Sequence, residues 1–169
     1  MIQSFIVAEV VGILPAVIAI VALIIEGQRN RTTHQTQLLI NLNEQWCSNE
    51  TKLLRKRVAQ KLLRKDNSNY ELGELLDLIS MICYLHKSKA VDAELLNNQF
   101  SWWIIRYWLC AERWIQNIRS IDPEGWKSVE IVANKLIVLE EKEGILLPSS
   151  KELKYFLQVE ANLFIKIAK

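Results

Sequence analysis

The chain reads as all-α: one N-terminal transmembrane helix followed by a cytoplasmic helical bundle of about five to six helices. Three observations predict this. Half of the 169 residues are hydrophobic, which is high for a wholly soluble protein of ordinary charge content. The excess is concentrated at the front, where Val10 to Ile25 (VVGILPAVIAIVALII) has no charged residue. Behind it, apolar residues recur at helical spacing, and no segment has the alternation and glycine punctuation of strands apart from short ambiguous runs such as ILL before Pro148. The reading divides the chain into an anchor over residues 1–27 and a helical domain over residues 28–169.

From Ser4 to Ile25 the only charge is Glu9, and at about 1.5 Å per residue the stretch reaches roughly 33 Å, enough to span a hydrocarbon core. A cleaved secretory signal is not expected, because MIQS has no Lys or Arg and the exit EGQRNR has no small-residue cleavage pattern. A buried core helix of a soluble protein also fits the charge-free run, provided Glu9 lies outside it. Basic residues follow the segment (Arg29, Arg31, Lys52, Arg55, Lys56) and none precedes it, which places the amino terminus outside and the domain in the cytoplasm, in an inner membrane. Cys47, Cys83 and Cys110, widely spaced and without C-x-x-C, suit a reducing compartment.

Within the anchor, Ala8, Gly12, Ala16 and Ala19 share one narrow stripe with Glu9 beside it. Small residues at this spacing let a second helix approach closely, and a carboxylate in a membrane must face protein, water or the interface. Either Glu9, Gly12 and Ala16 meet a partner helix, or the alanines are ordinary anchor residues and Glu9 reaches the headgroups. Pro15 is a place for a kink.

After the anchor, TTHQTQLLINLNEQW puts Leu38, Leu39, Leu42 and Trp46 on one side of a helix, broken at Cys47 to Asn49. Glu50 to Lys65 follows with Leu54, Val58 and Leu62 as its core stripe. Its many cations spread round the helix instead of gathering on one face, which argues against nucleic acid. Some of them, Lys52, Arg55 and Lys56 with Arg29 and Arg31 upstream, are candidates for lipid headgroups; a solvated surface is the plainer alternative.

After a turn at DNSN, the next helix is the cleanest amphipathic pattern, with Leu72, Leu75, Leu76, Ile79, Ile82 and Cys83 on one arc and His86 near its end. Asp92 reads as the cap of the segment that follows. That segment holds SWWIIRYWLCAERW, with four of the six tryptophans. Phe100, Trp103, Ile104, Tyr107, Trp108, Cys110, Ala111, Trp114, Ile115 and Ile118 fill an arc wide enough to face a core. Trp102, Ile105 and Leu109 form a second stripe among the charges, to be covered by another helix of the bundle or by a partner protein.

DPEG, Asp122 to Gly125, has the signature of a helix start with Asp122 as cap and Pro123 at the first position, for a helix to Glu143 that buries Trp126, Val129, Val132, Ala133, Leu136 and Leu139. Ser149 and Glu152 have capping-box spacing for a last helix reaching nearly to Lys169. Its apolar arc takes Leu153, Phe156, Leu157, Leu163, Phe164 and Ile167, with Glu160 in the middle, so Glu160 must pair or stay protonated; Arg106 and His86 are the conceivable partners.

The order of these features resembles a family of small bacterial single-pass membrane-anchored helical proteins of unknown function. The resemblance is carried by Thr36, Gln37, Leu38, Leu39, Leu42 and Trp46, by Lys89 with Val91 and Asp92, and by Arg106, Tyr107 and Trp108, over roughly Ile6 to Trp114. It implies a fold and a location and no activity.

No enzyme is expected. There are two histidines, and no H-E-x-x-H, glycine-rich phosphate loop, G-x-S-x-G or C-x-x-C, so neither a metal nor a cofactor is expected. The expected function is a non-enzymatic interaction protein, an accessory or assembly subunit or scaffold of a membrane complex, whose partners are membrane lipid and another membrane protein or itself. Its contact residues are Glu9, Gly12, Ala16, Trp102, Ile105 and Leu109. The alternatives are a toxin- or defence-type effector whose anchors oligomerise, and a sensor holding an apolar ligand beside Trp103 and Trp108.

Overall fold

The computed structural model describes residues 26–66, 70–91 and 93–163. The fold is all-α, with six helices and no strand among the described residues: α1 over 26–47, α2 Asn49–Leu63, α3 Tyr70–Lys87, α4 Ala93–Arg119, α5 Lys127–Lys142 and α6 Ser150–Ala161. Among the described residues no helix is long and apolar enough to cross a membrane. The expected span, Ser4 to Ile25 with Glu9, Gly12 and Ala16, lies outside them, as do the DNSN residues 67–69, the expected cap Asp92, and Phe164 and Ile167 of the last apolar arc.

Two compact units divide between Leu38 and Leu39. In the first, residues 26–38 are helical and mostly exposed. Thr32, Thr33 and Thr36 donate their hydroxyls to the carbonyls of Gln28, Arg29 and Thr32, at 3.0, 2.9 and 2.9 Å, each four residues back. This back-bonding lets β-branched polar residues sit in a helix without competing for its amides.

The second unit, from Leu39, is the bundle. Its first helical residues bury Leu39, Leu42 and Trp46. The chain breaks at Ser48, whose side chain accepts from the Thr51 amide at 3.1 Å and so caps α2. α3 buries all six residues of its expected arc, each at 1% exposure or less. Full burial stabilises a side chain of this size by about 1.5–3 kcal/mol, so this arc is a main source of cohesion. α4 packs on α3, α5 and α6, whereas α2 packs on α6 and α3.

The α4–α5 corner corrects one expectation. DPEG is a turn ahead of the helix: the Gly125 amide donates to the Asp122 carbonyl at 3.1 Å and the Glu124 amide to Asp122 Oδ1 at 3.3 Å. α5 starts at Lys127, after Trp126 has taken a left-handed conformation with φ 51°. Tertiary anchoring is the cause. The Trp126 indole lies 5.2 Å from that of Trp114 and donates to Asp77 Oδ1 of α3 at 2.8 Å, and Gly73 lets both rings approach α3. Arg119 closes the corner by donating to the Gly125 carbonyl at 3.0 Å and pairing with Glu130 at 2.8 Å. Val129, Val132, Ala133 and Leu136 are buried as expected, but Leu139 is 42% exposed at the helix end. α5 closes at Gly144, φ 79°.

The capping box of α6 is present: Glu152 accepts from the Ser149 amide at 2.7 Å and Ser149 Oγ accepts from the Glu152 amide at 3.3 Å. The helix ends at Ala161, short of the expected reach to Lys169.

Candidate functional site

The polar feature deepest in the bundle is a cluster drawn from α2, α4 and α6. Glu160, at 2% exposure, accepts two hydrogen bonds from the Arg55 guanidinium: Nε to Oε2 at 2.7 Å and Nη2 to Oε1 at 2.6 Å. Tyr107, fully buried, donates its hydroxyl to Oε2 at 2.6 Å. Arg55 Nη1 reaches the Trp46 carbonyl at 3.4 Å, one of the last carbonyls of α1 and without an intrahelical donor because the chain breaks there. The guanidinium also stacks on indoles, 4.8 Å from the Trp46 ring and 5.4 Å from that of Trp103.

An aromatic wall surrounds this cluster. Trp46 meets Trp103, Phe100 and Tyr107 edge-on at 5.6, 6.2 and 6.4 Å, and Phe156 of α6 meets Tyr107 and Trp102 at 5.0 and 5.1 Å. Edge-to-face pairs at these separations have the favoured geometry of aromatic contacts. The buried indole N–H groups of Trp46 and Trp103 have no acceptor among the described residues.

Burial alone would lower the Arg55 pKa, but the hydrogen bonds and charge of Glu160 outweigh it and hold the guanidinium above its ordinary value. Burial, reinforced by the Glu160 charge, pushes the Tyr107 hydroxyl well above its ordinary value, so it remains a proton donor. The arrangement is a bidentate Arg–carboxylate pair with a third lone pair engaged by a phenol, a structural ion pair with the strong geometry of its class. Burial pushes the Cys83 and Cys110 thiols up to about 12. Among the described residues, no three His, Cys, Asp or Glu side chains gather as metal ligands.

Several expected roles change. Glu160 pairs with Arg55 and Tyr107 instead of Arg106 or His86. Arg55, a candidate for lipid headgroups, is 4% exposed and points inward. Its spacing carried the signal, since Thr51, Arg55, Val58 and Ala59 fall at i, i+4, i+7 and i+8 and all four are buried. Lys56 is half-buried with Nζ 3.4 Å from the Leu163 carbonyl, Lys52 is half-buried, and Arg29 and Arg31 are exposed.

The second stripe of α4 is divided. Ile105 is fully buried, so the bundle covers it; Leu109 is half-buried and Trp102 is 42% exposed. Trp102 packs on Phe156 and lies under the Arg106 guanidinium at 4.5 Å. Burial lowers the Arg106 pKa, against the opposing charges of Glu140 and Glu152. A shallow depression of about 560 Å³, lined by Glu141, Gly144, Ile145, Leu146 and Leu147, marks the α5–α6 connection.

No curated protein and no solved structure matches the chain. The sequence pattern of one family matches residues 9–136, which take in Trp46, Arg55 and Tyr107 and stop before α6 and Glu160. With about three quarters of its length matched, the chain belongs to the family described as Domain of unknown function (DUF4760).

Proposed function

We propose that this protein works by contact at a membrane, as an accessory or assembly subunit of a membrane complex or as a self-associating scaffold, and that it is not an enzyme. Ser4 to Ile25 is the anchor, with the amino terminus outside and the bundle in the cytoplasm. The observation that carries the reading is the closure of the interior cluster. Glu160, the acid best placed for chemistry, has both oxygens engaged by Arg55 and Tyr107, which makes it a tie between helices. Recognition then falls to surfaces: the stripe of Gly12 and Ala16 with Glu9 beside it, and the exposed part of Trp102. Arg29 and Arg31, exposed just after the anchor, are the cations free to meet anionic headgroups, at about 1 kcal/mol each.

The test is co-purification of the full chain in mild detergent after Gly12→Leu and Ala16→Leu. Loss of the co-purifying membrane partner with insertion intact is expected, because the larger side chains hold the neighbouring helix away. Unaltered recovery overturns the membrane-packing part of the reading.

A further inference from the structure

We propose that α6 is an exchangeable helix: the groove between α2 and α4 that holds it takes the α6 of a second copy of this chain, joining two chains through reciprocal Arg55–Glu160 pairs. The inference rests on the contact reading above and names one partner for it, the chain itself.

The groove is specific about its occupant. It places a fully charged guanidinium at the bottom of an aromatic wall, and an unpaired buried charge there is strongly unfavourable. α6 therefore leaves only when another helix brings a carboxylate to the same place with apolar neighbours around it. The helix whose fit to this groove is on view is α6, with Phe156, Leu157 and Ala161 buried beside Glu160. A second copy carries the same helix.

The connection is built to open. α6 packs on α2 and α4 rather than chiefly on α5, its neighbour in sequence. Between Gly144 and the cap Ser149 the chain runs without helix or strand. Leu147 precedes Pro148, which disfavours the helical region for that residue and biases the connection toward extended backbone. The capping box lies wholly between Ser149 and Glu152, so it travels with α6 and is not broken when the helix swings out.

The closed form also leaves an apolar cluster in solvent: Ile145, Leu146 and Leu147 are 49%, 89% and 44% exposed. Exchange carries the two connections toward each other, and burial of these residues between them is expected in the dimer. All contacts of α6 are re-formed, and only the freedom of the second chain is lost. Attachment of both chains to one surface lowers that loss by raising their effective concentration.

The test uses two full-length chains carrying different tags, one Arg55→Glu and one Glu160→Arg, co-expressed and purified in mild detergent. Alone, each variant sets like charges against each other at the site. Together, both sites regain opposite charges, and only by exchange of α6. Expected is at least tenfold more co-purification than each variant shows with a differently tagged copy of itself, a comparison that subtracts association through the anchors. The double variant Arg55→Glu with Glu160→Arg on one chain reports whether the reversed pair is accepted. If it folds and the mixed single variants do not co-purify, the proposal is overturned.

A second variant covers the case in which the reversed pair is rejected. Deletion of residues 145–147 from the otherwise native chain shortens the connection between Gly144 and Ser149, which favours exchange over return of α6 to its own chain, and a stable dimer is expected. A monomer whose α6 amides remain protected from exchange overturns the proposal. Because the co-purification test of the anchor is read on the unaltered bundle, failure of exchange and failure of the anchor reading are separate results.

Discussion

Replacing Glu160 by Gln keeps the shape of the side chain and removes its charge, which isolates the electrostatic part of the buried cluster. The Arg55 and Glu160 side chains are 5% and 3% exposed, so neither charge is shared with water. The carboxylate accepts from Arg55 Nε, Arg55 Nη2 and Tyr107 Oη; a carboxamide has one acceptor oxygen and turns its amino group toward one of these donors. Breaking a buried pair in this way costs about 3–5 kcal/mol, whereas an exposed pair contributes about 0–1. For a domain of this size that is a fall in Tm of about 10–20 °C. The assay is urea unfolding followed by tryptophan fluorescence, with Trp46 and Trp103 lying against the altered guanidinium as reporters. The triple replacement Arg55→Met, Tyr107→Phe and Glu160→Leu removes the three polar side chains together, leaving only the Trp46 carbonyl, and is expected to recover most of the stability, since isosteric apolar replacement of a buried pair is often neutral or stabilising. A Glu160→Gln loss below about 1 kcal/mol would refute the reasoning, because it would mean that the pair behaves as a solvated one.

Other consequences follow from neighbouring features. Gly73→Ala should raise stability by about 0.5–1 kcal/mol, since an added Cβ meets Trp114 and Trp126 at an ordinary 3.7 Å and an interior helical glycine is costly; a lower Tm would show that the two rings cannot accept it. Ser149→Ala should destabilise by about 0.5–2 kcal/mol through loss of the N-cap, seen first as faster amide exchange in α6. The same change should raise the pKa of Glu152, now held below its ordinary value by its hydrogen bonds to Ser149, in an NMR titration. At high pH the folded chain keeps protons on Cys83, Cys110 and Tyr107 that the unfolded chain releases above the ordinary values of 9.0 and 10.0. For the thiols the contribution is complete below pH 9 and is lost as pH rises toward 12, and for Tyr107 it is complete below pH 10 and is lost above it, by about 1.4 kcal/mol per unit for each ionising group. Tyr107→Phe should flatten the part of this slope above pH 10; an unchanged slope in unfolding measurements would count against the assignment.

Local physics was enough for much of this protein. Helical period marks the apolar faces of the bundle, and the arc from Leu72 to Cys83 is buried as its spacing requires. Ser149 and Glu152 mark the start of α6 because a capping box is complete within four residues. Glu160 is recognisable as an acid in need of a partner for a similar reason: a helix shows its own apolar face without reference to anything else.

What that face meets is not a local property. The partner of Glu160 lies 105 residues away, chosen by how α2 and α6 are rotated against each other; helical spacing in one segment carries no information about rotation relative to another. Arg55 looks like one more cation of a basic helix until α6 covers it. Ile105 looks like part of an outward stripe until the bundle closes over it, and Trp126 delays the start of α5 only because α3 offers Gly73 and Asp77 to receive its ring. The sequence alone determined which faces must be buried, since that depends on spacing along one helix; tertiary packing decided what buries them, since that depends on which helices meet and at what rotation.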